Sequence, residues 1–406
     1  MNDNWIVQKI LEYSDPYAVL SRELKITPNE IHYNGFVFSF KKPLLIAVGK
    51  ASYKMAKFFI ERLKPIRSIV IVPKSQQVRL ENAEIIYASH PYPDENSLIA
   101  GNIAIEALQK EDYDLVIFLL SGGASALFES TEMSLEELRE LNKVLVNSGI
   151  SINEINVVRK HVSNIKGGNL TKYARSKIVS FIVSDVPGDD ISSIGSGPTA
   201  PDPYTLDQAV DILKKLGIEE KYRKYLHETQ KRVENAYNFI ILNNFYVLKS
   251  ISSDLQPSII LTDQIRGEAR DVGMFFASVA NTSVKYGTPI KNGAILVGGE
   301  PEVTIGKNEK AGKGGRNGEV CLSFLRWINK TTSVKLYAIA TDGIDGNSEY
   351  AGCIVDSSLG ISDKEISEGL KNHSSYEILE KYNAIIKTGP TYTNVNNIYI
   401  ILLNAP

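Results

Sequence analysis

Followed for its alternation of apolar and polar positions, the chain repeats one unit: a short apolar run, a glycine-rich turn, then an amphipathic segment. Residues 44–48 form the first apolar run, Gly49-Lys50-Ala51-Ser52 the turn, and 53–63 carry apolar residues at helical spacing. Runs at 68–72 and 83–88 follow, and a helical pattern over 97–110 leads into 114–120. This last run is almost wholly apolar, as expected of a parallel strand covered on both faces. Ser134 with Glu137 has the form of a capping box and predicts a helix to about residue 148. Another buried strand is predicted at 178–183. Strands and helices alternating at this spacing predict a doubly wound α/β sheet. Two further helical patterns, from 206 to about 233, are polar enough to read as a connector. The alternation restarts at 239–242 and continues at 258–261, 294–297, 335–340 and 398–403, so a second α/β unit is expected after a boundary near 235.

Composition changes this picture little. Of 406 residues, 43% are hydrophobic and 23% charged, which suits a soluble globular protein of two or three domains. A formal net charge of −2 argues against a surface made for nucleic acid or anionic membrane, so neither partner is expected. The N-terminal stretch is broken by charge, and no apolar segment approaches the length of a bilayer span. Cys321 and Cys353 are too few for a disulfide framework and lack metal-ligand spacing, which points to a reducing, cytoplasmic compartment.

The candidate chemistry sits where strands end, the place where open α/β sheets bind ligands. Any one of these loops reads as well as a plain glycine–aspartate turn; five in succession point to a ligand. Gly49-Lys50 is no Walker motif, because that needs Gly at 44 and Ser or Thr at 51, where the chain has Leu44 and Ala51. A lysine at such a turn can still reach an anion. Ser121-Gly122-Gly123-Ala124-Ser125 has side chains too small to shield its amides from a phosphate, and without Gly-x-Ser-x-Gly it is no serine-hydrolase elbow. Arg159, Lys160 and His161 concentrate base ahead of Lys166-Gly167-Gly168, while no histidine has a partner at zinc spacing. Asp185, Asp189 and Asp190 put three carboxylates in six residues, a pattern suited to Mg²⁺ with water and phosphate completing its shell. Later come Gly298-Gly299-Glu300, then Gly312-Lys313-Gly314-Gly315-Arg316-Asn317, whose spacing begins like a dinucleotide fingerprint but lacks its third glycine. Thr341-Asp342-Gly343-Ile344-Asp345-Gly346 adds a second acidic loop.

Taken together, VGKAS at 48–52, SGGASALFE at 121–129, RKHVSNIKGGNL at 159–170 and SDVPGDDISSIGSGPT at 184–199 resemble the type II glycerate kinases, the glycerate 2-kinase family with its C-terminal MOFRL domain. GGEPEVTIG at 298–306, GKGGRNGE at 312–319, TDGIDG at 341–346, AGCIVD at 351–356 and TGPTYTNVN at 388–396 continue the resemblance in family order. Asn347, Tyr392 and Asn397 depart from the family pattern. The resemblance implies a large Rossmann-like domain at 1–235, a smaller α/β domain at 236–406 holding the MOFRL region, and an active site in the cleft between them. It also implies phosphorylation of the 2-hydroxyl of D-glycerate by ATP with a divalent metal, Mg²⁺ in the first instance. A homodimer is the one assembly it leaves open.

Phosphoryl transfer needs positioning and fixed cations more than covalent chemistry. Lys50, Arg316 and Asp190 are therefore expected as the catalytic set, with Arg316 gripping the glycerate carboxylate or spanning carboxylate and γ-phosphate. Ser121, Gly122, Gly123, Ala124, Ser125, Lys166, Gly299, Glu300, Asn317 and Asp342 are expected to bind substrate or nucleotide. Asp185 and Asp189 are expected at the metal; the sequence leaves open which carboxylate acts as base. The competing readings are an NAD(P)-dependent hydroxypyruvate reductase, weakened by the incomplete fingerprint, and a non-catalytic sensor of a sugar-acid phosphate.

Overall fold

A computed structural model describes residues 3–306 and 309–403 and divides the chain into two compact units, 16–241 and 1–15 with 242–406. The first unit opens with a small antiparallel sheet, β1 (Lys25–Thr27), β2 (Glu30–Tyr33) and β3 (Phe36–Ser39). Its main sheet comprises β4 (Pro43–Val48), β5 (Arg67–Pro73), β6 (Glu84–Ala88), β7 (Leu115–Ser121), β8 (Lys177–Val183) and β9 (Ala236–Leu242), in the spatial order β6-β5-β4-β7-β8-β9. Pairs from β6 to β8 are parallel. Every position of β4 and β7 is buried, which is why both read as unbroken apolar runs. The order runs outward in opposite directions from β4 and β7, so the switch in winding falls between these two strands.

The second unit carries β10 (Ser258–Ile265), β11 (Gly293–Gly299), β12 (Val334–Ala340), β13 (Gly352–Asp356), β14 (Ile385–Ile386) and β15 (Asn397–Leu403), in the order β10-β11-β15-β12-β13-β14. Among the described residues of this sheet only β10 and β11 pair in parallel; β15 is antiparallel to both β11 and β12. The carboxyl ends of β11 and β12 therefore flank the start of β15, with Gly299 and Ala340 both opposite Asn397.

The structure departs from the sequence reading in several places. The boundary lies at 241/242 rather than 235: β9, expected to open the second unit, closes the first sheet. Aromatic packing explains this, because Phe239 meets Tyr33 at 5.2 Å, Phe36 at 5.4 Å and Phe181 at 6.1 Å between ring centres. The N-terminal helix Asp3–Tyr13 belongs to the second unit, where Asp3 accepts from Lys335 and Tyr337 on β12. The supposed connector is also core: helix Leu206–Lys215 buries Ala209, Ile212 and Leu213 in a cluster with Leu138, Leu141 and Val158. Regular helix ends near Tyr225 because the following chain is held in other pairings, Gln230 N–H donating to Gly167 C=O at 2.9 Å. Finally, Cys321 and Cys353 are bonded to each other. Helix Arg316–Trp327 lies against β13 with these two α-carbons 6.7 Å apart, within bridging range.

Candidate active site

In the first unit the winding switch brings three strand ends together. Lys50 follows β4, and its N–H donates to Gly122 C=O at 2.9 Å in the loop after β7. Ser52 hydroxyl donates to Gly49 C=O and Ile71 C=O, tying the same turn to β5. Gly49 has φ +117, and a β-carbon there would lie 2.2 Å from Ser121 Oγ, so only glycine fits. Ser121 itself is a fastener: its Oγ accepts from Ala51 N–H at 3.0 Å and donates to Val48 C=O, and the side chain is buried. Ala124 is buried against Leu120 and Gly195 in the core. Of the expected phosphate loop, Gly122 and Gly123 leave bare backbone for a ligand, and Ser125 Oγ shares a hydrogen bond with Ser196 Oγ at 2.8 Å. A β-carbon on Gly122 would sit 1.8 Å from Asp185 Oδ2, so the carboxylate after β8 rests directly over the bare glycine. At Gly123, with φ +86, a β-carbon would meet the His90 ring at 3.2 Å and Lys50 Cγ at 3.5 Å. Lys50, Asp185, His90 and Ser125 thus surround one short stretch of backbone.

A cavity of about 360 Å³ opens from this stretch, lined by His90, Gly123, Ser125, Arg159, Lys166 and Glu129, with an apolar wall of Leu138, Leu141 and Val162. Lys166 is 2% exposed and paired with Glu129. Burial drives the Lys166 pKa down, and the neighbouring carboxylate works against that. Lost hydration and the charge of Lys50 hold His90 below its ordinary value, so this imidazole is neutral near pH 7.

The other acids of the 185–190 loop are placed differently. Asp190 accepts from Ser192 N–H at 3.0 Å, Ser192 Oγ at 2.9 Å and Ser193 Oγ at 2.5 Å. Burial would raise its pKa, but these hydrogen bonds hold it below the usual range, the environment of a turn cap rather than of a proton acceptor. Asp189 has φ +57, and with Asp190 it borders a separate cavity of about 400 Å³ near Asn238. Among the described residues no three His, Cys, Asp or Glu side chains gather as a metal-binding group. The residues fit a divalent ion that takes one carboxylate, Asp185, and completes its shell from phosphate and water.

In the second unit a cavity of about 600 Å³ is lined by Glu300, Gly312, Gly314, Gly315, Arg316, Glu319 and His373. Arg316 opens its helix, and its guanidinium is paired with Glu300 at the end of β11. Burial opposes the Arg316 charge, but Glu300 more than offsets this and the pKa stands above its ordinary value. Asn317 is buried, its amide donating to Asn397 Oδ1 at 3.1 Å; the family departure at 397 is therefore met by an amide–amide pair. Gly299 is a strand residue opposite Ile265, where a β-carbon would lie 2.4 Å from the Ile265 backbone. Asp342 is half-buried and caps its own turn, accepting from Ile344 N–H at 3.2 Å.

A family model described as a domain of unknown function, DUF4147, matches residues 4–229, and the MOFRL family model matches 293–397. A glycerate 2-kinase of Sulfurisphaera tokodaii is 52% identical over 98% of this chain and 98% of its own. The chain belongs to the type II glycerate kinase family. The solved structure of glycerate kinase from Thermotoga maritima superposes with a TM-score of 0.88 at 34% identity, covering 98% of each chain. A relative from Agrobacterium vitis, 37% identical over 89% of this chain and 87% of its own, is named a putative hydroxypyruvate reductase.

Against the type II glycerate kinase pattern, several functional-site residues escape sequence reasoning. Asp345, the second acid of TDGIDG, is fully buried and accepts from Asn317 N–H at 2.9 Å, Gly318 N–H at 3.2 Å and Tyr376 hydroxyl at 2.6 Å. It closes the N-terminal amides of the Arg316 helix that a phosphate would otherwise take. Burial pushes its pKa up to about 6. Glu319 and His373 form a contact of 2.8 Å in the same cavity, with Glu319 raised by burial. Glu129 ends the motif at 121–129 and Arg159 opens the one at 159–170, while His90 lies in no motif; only the fold brings the three to one cavity.

Proposed function

We propose that this protein is an ATP-dependent glycerate 2-kinase, transferring the γ-phosphoryl group to the 2-hydroxyl of D-glycerate. Full-length similarity to named glycerate 2-kinases supports the reading, and one structural observation carries it: a lysine and a carboxylate converge on bare glycines at the winding switch of a parallel sheet. Lys50 offers positive charge where the transferred group gains negative charge, and Gly122 and Gly123 let phosphate oxygens approach the backbone. Asp185 is the acid for the metal and for orienting the acceptor hydroxyl. A bound Mg²⁺ supplies neutralisation of the phosphate oxygens, as in phosphoryl transfer generally. Arg316, its fork already set by Glu300, holds nucleotide phosphate; a polyanion can compete for a guanidinium that one carboxylate already shares. Dependence on ATP and a small hydroxy acid suits the cytoplasm.

The test is a product analysis. Incubated with D-glycerate, ATP and Mg²⁺, the protein should release ADP and form 2-phosphoglycerate, identified by ³¹P and ¹H NMR. Oxidation of NADH by hydroxypyruvate with no ADP formed from glycerate would replace this reading with the reductase.

A further inference from the structure

The motif RKHVSNIKGGNL contains an arginine that the roles above do not use. Arg159 lies near the end of helix Ile152–His161 and lines the 360 Å³ cavity beside Ser125, His90 and Lys166. Its Nε donates to Asn142 Oδ1 at 2.7 Å, which fixes the plane of the guanidinium. Among the described residues its two terminal nitrogens have no hydrogen-bond or ion-pair partner, so the fork is oriented and vacant. Glu129 is the one acid in the lining, and it is committed: it pairs with Lys166 and accepts from Ser163 Oγ and from Ser130 N–H at 3.0 Å. Lys166 and Glu129 offset each other as a pair, which leaves the Arg159 guanidinium as the unbalanced charge of the lining. Such a lining suits a small monoanion.

Resting on the kinase reading, we propose that this cavity is the acceptor subsite and that Arg159 reads the carboxylate of the hydroxy acid through a two-pronged hydrogen bond. The planar fork matches a carboxylate and holds it by two parallel N–H···O bonds. Leu138, Leu141 and Val162 give that cavity an apolar wall, a setting in which such a pair gains strength. Ser125, on the side of the cavity toward Gly123 and Lys50, faces the hydroxyl end of the acid.

The experiment compares the parent with Arg159→Gln and Arg159→Lys in two measurements. In steady-state assays, Arg159→Gln should raise KM for D-glycerate roughly 10²-fold or more, the scale of two charge-assisted hydrogen bonds. Arg159→Lys, keeping charge but not the fork, should raise it about 10-fold. KM for ATP should stay parental in both, and glycerol, which has no carboxylate, should be turned over as poorly by the variants as by the parent. In calorimetric titrations without nucleotide, D-glycerate should bind the parent and lose affinity in the same order. Parental KM for glycerate in Arg159→Gln, or an equal penalty on glycerate and glycerol, overturns the proposal while leaving a parent that makes ADP as a kinase. A parent that binds glycerate through Arg159 but makes no ADP overturns the kinase reading and leaves the subsite standing. Should Arg159→Gln fold poorly by its melting curve, the Arg159→Lys titration decides.

Discussion

Arg159 and Arg316 make an instructive pair. Each lines a cavity, one in each unit, and each stands on a helix. Arg316 has Glu300 on its fork and Asp345 nearby, so burial fails to depress its pKa. Arg159 has an amide on Nε and no carboxylate on its fork, and burial pulls its pKa down, only partly opposed by Glu129. A guanidinium with a resident carboxylate stays protonated but has its charge offset by that partner, and suits a ligand with several charges to offer. One held by an amide keeps its full charge for a ligand with a single charge. The same residue type is thus prepared for different anions by its neighbour.

The largest effect expected is at neither arginine. Lys50→Ala should lower kcat by roughly 10²–10³-fold with the fold intact, since its side chain lies in a strand-end turn. Parental kcat in that variant would remove Lys50 from the mechanism and leave the arginines as the main cations.

Arg316→Ala should cost about 10²-fold in kcat/KM and should do so equally with glycerate and with glycerol, whereas Arg159 variants should affect glycerate alone. Arg316→Lys should recover only part of the loss. A penalty for Arg316→Ala confined to glycerate would reverse the assignment of the two forks.

Asp345 sharpens the contrast through pH. Its folded pKa of about 6 lies above the unfolded value of 3.8, so its protonated form is the one the fold favours. That contribution is fully present below pH 4 and is lost as pH rises through 6, a change of about 3 kcal/mol. Asp345→Asn removes the titration, so its stability relative to the parent should rise between pH 4 and 6 in urea melts. A constant difference across that window would mean Asp345 remains ionised throughout.

The smallest effect should come from Asp190. As a turn cap, Asp190→Ala should cost about 1 kcal/mol of stability and leave kcat close to parental. Asp185→Asn should instead weaken the response to Mg²⁺. If Asp190→Ala abolishes turnover in folded protein, the base belongs to Asp190 after all.

Much of this was legible in the sequence wherever burial is continuous. The mostly apolar, buried runs of β4, β7 and β8 announce a parallel sheet, and the Ser134–Glu137 box is present as a reciprocal cap. Four-residue strands such as β2 and β3 carry too few positions for a period to register, and β9 follows its aromatic partners rather than its place in the alternation. Motif reading located the loops but could not divide labour within them. Ser121 and Asp190 look like ligands in a string of letters; neighbouring backbone N–H groups and hydroxyls occupy them. Arg159 looks like surface base, and its vacancy is visible only once Asn142 and Glu129, 17 and 30 residues away, are in place.

The bond between Cys321 and Cys353 encloses β12 and both acids of the TDGIDG loop. A protease that nicks the chain once anywhere inside that ring therefore releases nothing: the two pieces stay joined through sulfur, one bearing Arg316 and the other β15. On a gel the cut is silent until reductant is added. The segment that carries Asp342 and Asp345 can be opened for insertion or cleavage without the second unit losing either half of its chain.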